Sequence, residues 1–445
     1  MTSARLVKVS SEPRTPHRAR VALVSTYPPR QCGIATFTRD LRGALTAAAP
    51  DLDFVVCAID RDAMEYGSEV EFVVRQDSYE DYAKAAAEMA DSGVSAVVIQ
   101  HEYGIFGGPD GVWITSFAEV LRDRAIPYLV TLHTLLAEPS PEQASTLRRL
   151  CADAFAVSVF TETARRLAVE TGVAPAPRIT VVPHGAPAVL YADPRALLAD
   201  PRAAREIRPE VTTLLAESHD RRIVSTFGLV SPGKGLESAI KAVVAAATEY
   251  PDIRYVIAGA THPEVAKRQG EGYHRQLVDL VAELGAEEHV CFLDFFLSDV
   301  EIAVLLKRTE VFLTPYRSRD QTSSGALTFA LAAGCPVVST DYPYARDMLA
   351  GGAGTVVRHD DPERFGQALC AMLADPARRT AAAEAARALG ATLSWPWVGL
   401  RVAGILHRAI TGDRTNATPA RPKVLISQRF PKTGIVPLTA IATQP

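Results

Sequence analysis

Residues 315–340 read PYRSRDQTSSGALTFALAAGCPVVST, and the order of residue types in that stretch decides the fold. An apolar run, Val311 to Thr314, enters it as a strand. A polar loop of small residues then opens a helix with Thr322, Ser323, Ser324 and Gly325 at its start. Gly334 ends the helix, and Pro336 leads a second apolar strand to Thr340. Two strands that are apolar throughout, joined by a helix, are the unit of a parallel sheet covered on both faces. Free peptide N–H groups at such a helix start, beside hydroxyls, suit an anion or a polyhydroxyl ligand. An ordinary βα turn with hydroxyl caps gives the same local pattern, so the stretch alone leaves both readings open.

The same alternation runs outward in both directions. Val21–Thr26, Phe54–Ile59, Ala96–Gln100, Tyr128–Leu132, Ala154–Val159 and Ile179–Val182 read as strands rich in β-branched residues, with helical stretches between most of them. Residues 186–220 break the pattern and read as a Pro-, Asp- and Arg-rich linker with short helical pieces. A second series follows at Ile223–Phe227, Tyr255–Ala258, Val290–Leu293, Val311–Thr314, Val337–Thr340 and Thr355–Val357. The chain is therefore expected to hold two tandem doubly wound α/β domains with a ligand cleft between them. We place the first at 20–200 and the second at 201–393, with a last helix at 394–412. Residues 1–19 are expected to be a disordered arm or a peripheral surface contact, and 413–445 a disordered tail.

Bulk properties narrow the function. The 445 residues are 48% hydrophobic and 22% charged, as in a soluble globular protein. A net charge of −4 gives no bulk attraction to nucleic acid or to an anionic membrane. No apolar run approaches the ~20 residues of a membrane span, and no signal-peptide core opens the chain, so a cytoplasmic protein is expected. The six cysteines are scattered without a Cys-x-x-Cys, which fits a reducing compartment better than a disulfide framework or a zinc site. Cys32, in a glycine-containing loop, is the one candidate for a reactive thiol.

Sites in doubly wound sheets gather at the carboxyl ends of the strands. The first strand delivers Gly33 at a helix start, where backbone can approach a ligand closely. Three further strand ends deliver His101-Glu102, His133 and His184. They could be zinc ligands, but Glu102 is the only adjacent carboxylate and no His-Glu-x-x-His spacing appears, so hydrogen bonding to a sugar or phosphate is the preferred role. In the second domain Gly228 opens a turn that reaches Lys234 at the start of a helix from Leu236 to Thr248. A lysine beside glycines at a helix start can clamp a diphosphate, and a solvated loop lysine is the plain alternative. Gly259 through Pro263 adds a polar cluster to the same face.

With these residues in place, the chain resembles the retaining, nucleotide-sugar-dependent glycosyltransferases of the GT-B fold, group 1 and family-four-like, across about residues 20–410. Gly228 to Gly235 looks like their phosphate-binding turn, residues 311–340 like their nucleotide-sugar signature, and Ser394 to Trp397 like the helix that crosses back. The strings Tyr27–Thr38, Gln100–Gly108 and Gly259–Pro263 resemble a diverged bacterial subgroup with mannose-related members. The resemblance implies two Rossmann-like domains and transfer of a hexose, mannose among the candidates, from a nucleoside-diphosphate sugar to an acceptor hydroxyl with retention. It implies that Gly33 and Gly228 lie against the donor diphosphate, Lys234 neutralises it, and Gln321, Thr322, Ser323, Ser324 and Gly325 hold donor hydroxyls. His133, Lys234 and Gln321 are the expected catalytic residues; His101, Glu102, His133 and His184 are expected on the sugar or acceptor side.

No cofactor and no metal are implied, because Asp51-Leu52-Asp53 and Asp60-Arg61-Asp62 are triplets that arise readily by chance. The partners implied are the donor and a sugar, lipid-linked or small-molecule acceptor, with no nucleic acid. The chain departs from the family at Gln321 and Phe329, where two glutamates are usual, and at Leu229, where an arginine is common. Arg30, Arg317 and Arg319 are the candidates to replace that cation. A non-catalytic sugar or nucleotide sensor on the same scaffold and a nucleotide-sugar epimerase are the rival readings. A dehydrogenase would need a dinucleotide fingerprint that neither first strand carries.

Overall fold

The computed structural model describes residues 18–359 and 361–413. The expected arm lies outside the described residues up to 17, and the expected tail lies outside them from 414 onward. The first strand already begins at Ala19.

Strands β1 (Ala19–Ser25), β2 (Leu52–Asp60), β3 (Val70–Arg75), β4 (Val94–His101), β5 (Tyr128–Leu132), β6 (Ala156–Val159) and β7 (Ile179–Val181) form one parallel sheet in the order 3-2-1-4-5-6-7. Strands β8 (Arg222–Phe227), β9 (Ile253–Ala258), β10 (Val290–Leu293), β11 (Thr309–Thr314), β12 (Val337–Thr340) and β13 (Gly354–Val357) form a second, in the order 10-9-8-11-12-13. Both sheets are parallel throughout, so the chain is an α/β protein of two doubly wound domains.

The apolar runs explain the architecture. Along β1, Val21 and Leu23 enter one core cluster while Ala22 and Val24 enter another on the opposite face. Each strand residue is thus buried whichever way it points, which is why the runs show no alternation. Strand β3 escaped the sequence reading because it is an edge strand whose residues alternate toward solvent. All six cysteines are free, and Cys57, Cys151 and Cys335 are buried.

Two crossovers run side by side between the domains. The Ala186 N–H donates to the Leu393 carbonyl at 2.7 Å, and the Trp395 N–H donates back to the Ala186 carbonyl at 3.4 Å. Helix Trp395–Thr411 then lies along helix Gly33–Ala48 of the first domain, so close that a Cβ on Gly399 would sit 2.6 Å from the Ala44 carbonyl oxygen. The segment after Ala186 packs along the second sheet's helices, with the Tyr191 hydroxyl donating to the Gly390 carbonyl at 2.9 Å. Arg208 holds the buried Glu301 through Nε at 2.8 Å and Nη2 at 2.6 Å, and Glu301 closes a capping box with Ser298 at the start of helix Asp299–Arg308. The expected boundary at residue 200 falls inside this segment.

In each sheet the strand order reverses between the first strand and the fourth, between β1 and β4 and between β8 and β11. Connections leave such a pair toward opposite faces and open a crevice at the strand ends. The two crevices face each other, and the site lies between them.

Candidate active site

A cleft of about 320 Å³ runs between the two domains. The first domain lines it with Gly33, Thr36, Phe37, Asp40, His133 and His184. The second contributes Gly228, Lys234, Gly259, His262, Gln321 and the helix start at Ser323 to Gly325. Phe227, Phe329 and Trp395 supply apolar wall.

The first-domain side is built by one helix. Cys32 caps it, its Sγ accepting the Ala35 N–H at 3.3 Å, which leaves the Gly33 end at the cleft. The candidate reactive thiol is thus engaged as a cap. Gly33, Thr36, Phe37 and Asp40 follow the i, i+3, i+4, i+7 spacing of one helical face. Phe37 meets the rings of His133 at 4.7 Å, His184 at 4.9 Å and Trp395 at 5.0 Å.

His133 is buried, and its Nε2 lies 2.9 Å from Gln100 Oε1. An amide oxygen only accepts, so Nε2 carries the proton. Burial holds the His133 ring well below its ordinary pKa, with His184 and His101 adding to the effect, so the ring is neutral at pH 7. His184 donates Nδ1–H to the Gly185 carbonyl at 2.8 Å, and burial moves its pKa down to about 4. Its Nε2 faces the start of helix Gly325–Ala333, where a Cβ on Gly325 would approach to 3.4 Å.

The second-domain side rests on close backbone packing. Gly259 has a φ of +148°, and a Cβ there would lie 2.1 Å from the Gly228 carbonyl oxygen, so the ends of β8 and β9 meet flush. Gly235 has a φ of +62° and a Cβ would lie 2.1 Å from the Pro315 carbonyl oxygen. Only glycine fits both places, and together they hold the Lys234 turn against the loop after β11. Lys234 Nζ stands 4.0 Å from the centre of the Tyr316 ring. Ser324 caps its helix by accepting the Leu327 N–H at 3.2 Å, and Gln321 Nε2 donates to the Ser323 carbonyl at 2.9 Å.

Three expected site residues stand elsewhere. Thr322 is buried outside the cleft lining, and its Oγ1 accepts the Leu135 N–H at 3.0 Å across the domain boundary. His101 is fully buried behind the cleft, between Phe106 and Tyr103, and burial alone moves its pKa down to about 3. Glu102 accepts from the Tyr103 N–H at 2.9 Å and the Thr134 hydroxyl at 2.7 Å, and it does not line the cleft. Arg30, Arg317 and Arg319 also lie outside the lining, and Leu229 with His262 occupies that wall.

Two carboxylates in the cleft went unread in the sequence. Asp40 comes from the first domain and Asp299 from the second, and the Arg39 guanidinium bridges them at 2.7 and 3.2 Å. Burial pushes Asp40 up to about 6, with the nearby Asp299 charge raising it further against the pull of Arg39. Burial likewise raises Asp299. The helical spacing from Gly33 would have found Asp40; Asp299 reads as an ordinary first-turn acid behind the Ser298 cap.

Residues 215–389 match the family model described as Glycosyl transferases group 1. The D-inositol 3-phosphate glycosyltransferase of Corynebacterium glutamicum is 27% identical over 314 residues, covering 67% of this chain and 70% of the relative. A GDP-mannose-dependent alpha-(1-6)-phosphatidylinositol monomannoside mannosyltransferase of Mycolicibacterium smegmatis is 31% identical over 195 residues, 42% of this chain and 48% of the relative. Among solved structures, sucrose-phosphate synthase of Thermosynechococcus elongatus superposes with a TM-score of 0.67 at 19% identity, over 89% of this chain and all of that one. Anabaena HepE, solved with UDP and glucose, gives 0.65 at 15% identity, over 87% of this chain and 99% of that one. These likenesses show that the fold is GT-B. Among the described residues no helix is long and apolar enough to cross a membrane.

Proposed function

We propose that this chain, a member of the group 1 glycosyltransferases through its domain at 215–389, moves a hexose from a nucleoside-diphosphate sugar to an acceptor hydroxyl with retention. One observation carries the reading. Lys234, the Gly33 helix start and the Gln321–Gly325 loop, three features suited to a sugar diphosphate, line one interdomain cleft.

The barrier is departure of the diphosphate from an oxocarbenium-like carbon. The Lys234 ammonium and the peptide N–H groups at Gly33 oppose the charge that grows on the leaving phosphate, the largest expected contribution. Gln321, Ser323 and Ser324 offer hydrogen bonds to donor hydroxyls, and His133, kept neutral by burial, offers hydrogen bonding near the sugar without adding charge. Phe329 replaces carboxylate with an aromatic face, packed against Phe227 at 5.9 Å and His184 at 6.3 Å, so the donor meets apolar wall there. Closure of the two domains excludes water and aligns the acceptor. Attack comes from the face the diphosphate leaves, and the departing phosphate takes the acceptor proton. No enzyme nucleophile and no metal enter this scheme, and chelation is expected to leave turnover unchanged.

Mannose is the first sugar to test, because GDP-mannose appears in the name of the mycobacterial relative. UDP-glucose follows, since Anabaena HepE has been solved in complex with it. We take the reaction to be cytoplasmic, with a sugar, lipid-linked or small-molecule acceptor. A thermal-shift screen against UDP-, GDP-, ADP- and TDP-sugars reads donor choice, because a ligand of the native state raises its melting temperature. Transfer to an added acceptor then follows. Binding without transfer to any acceptor would favour a sensor, and epimerised sugar nucleotide would favour an epimerase.

A further inference from the structure

Resting on the reading of Lys234 as the cation of the diphosphate, we propose that the Tyr316 ring is its positioning residue, a π-face that holds the ammonium at the cleft without neutralising it. Lys234 Nζ stands 4.0 Å from the ring centre. The ring cannot drift. Tyr316 is fully buried, stacks on the equally buried Tyr342 at 5.2 Å and 18°, and its carbonyl accepts the Thr340 hydroxyl at 2.6 Å. The lysine turn is tied to the same strand end, because the Arg317 N–H donates to the Gly233 carbonyl at 2.9 Å and Gly235 abuts Pro315. Lysine and ring therefore share one rigid frame.

A carboxylate in the place of the ring would orient the lysine more strongly. It would also cancel the charge that the diphosphate needs. An aromatic face attracts the cation through its quadrupole and leaves the net charge at +1. Among the described residues Lys234 forms no ion pair; within the second domain's wall its ammonium faces the Tyr316 ring, and its charge also helps hold the His262 pKa below the ordinary value, behind the larger effect of burial. The Tyr316 hydroxyl, in contrast, finds no hydrogen-bond partner among the described residues. The ring, not the hydroxyl, is the functional part, so phenylalanine should replace it.

The test measures affinity for UDP and GDP by calorimetry, with melting temperature alongside. Tyr316 is changed to Phe, to 3,4,5-trifluorophenylalanine and to Leu, each in the natural and the Lys234→Ala background. Tyr316→Phe should bind within about twofold of the parent. The trifluorinated ring, of similar shape but with its quadrupole nearly cancelled, and Tyr316→Leu should each bind about tenfold more weakly. In the Lys234→Ala background these losses should vanish. Should the leucine variant fail to fold, the fluorinated ring carries the comparison by itself. Equal binding by the fluorinated and plain rings, or an equal loss with Lys234 absent, would overturn the proposal. Unchanged binding in Lys234→Ala alone would instead overturn the reading of Lys234 on which it rests.

Discussion

The Thr322 side chain of the second domain accepts the Leu135 peptide N–H of the first at 3.0 Å, both groups buried in the interface. A second contact on the same rim joins the Thr163 N–H and hydroxyl to the Asp347 carboxylate, at 2.9 and 2.6 Å. These bonds hold the two crevices at the separation that forms the cleft. Replacing Thr322 with Val keeps the shape and strands the Leu135 N–H. An unmet buried donor costs about 1–3 kcal/mol. We expect a higher KM for donor in Thr322→Val and a larger radius of gyration by small-angle scattering, with turnover at saturation less affected.

The opposite rim carries a reciprocal ion pair. Arg61 meets Glu264 at 2.7 Å and Asp62 meets Lys267 at 3.5 Å, each domain giving one charge of each sign. Half-exposed pairs of this kind are worth about 0–1 kcal/mol each. Glu264→Arg should raise donor KM about threefold, and Arg61→Glu in the same chain should restore it. Salt should shrink the difference. Failure of the double variant to recover would remove the pair from domain closure.

Acid should unfold this protein through its histidines. His101, His133 and His184 all have pKa values held below the ordinary value by burial. Below pH ~6.5 the unfolded chain binds protons that the folded chain refuses, so stability falls as pH falls. Each histidine contributes roughly 1.4 kcal/mol per pH unit in that range. His101→Phe should flatten the slope by one such share in urea titrations at pH 5 and 7. It should leave transfer unaltered, since His101 stands behind the cleft.

Asp40 acts in the other direction. Its folded pKa of about 6 exceeds the ordinary value, so the folded chain holds the extra proton and stability falls as pH rises from 4 to 6. Asp40→Asn should remove that fall and gain about 1–3 kcal/mol at pH 8 relative to pH 4. Stability curves of both proteins across that range read it directly.

Much of the fold is legible in the sequence because local chemistry decides it. Strands such as Val21–Val24 are buried on both faces, and a continuous apolar run says so without help from the rest of the chain. The edge strand Val70–Arg75 lacks that signal. Gly33, Lys234 and the loop from Gln321 to Gly325 were legible because each sits where a strand turns into a helix. Thr322 and Ser324 look alike in sequence, yet one hydroxyl serves the other domain and one caps its own helix. Only the docked partner distinguishes them. His101 stands one residue before Glu102 at a strand end, and its direction into the core depends on Phe106 and Tyr103 folding over it. The Asp40–Asp299 pair joins residues far apart in the chain, so no spacing could announce it.

A crystal structure of the protein with GDP-mannose or UDP-glucose, whichever the thermal screen selects, tests the central claim most directly. The account predicts the diphosphate between Lys234 Nζ and the amide end of helix Gly33–Ala48, with the sugar beside His133 and Gln321. A diphosphate bound away from that cleft, or one that leaves Lys234 unengaged, would contradict it.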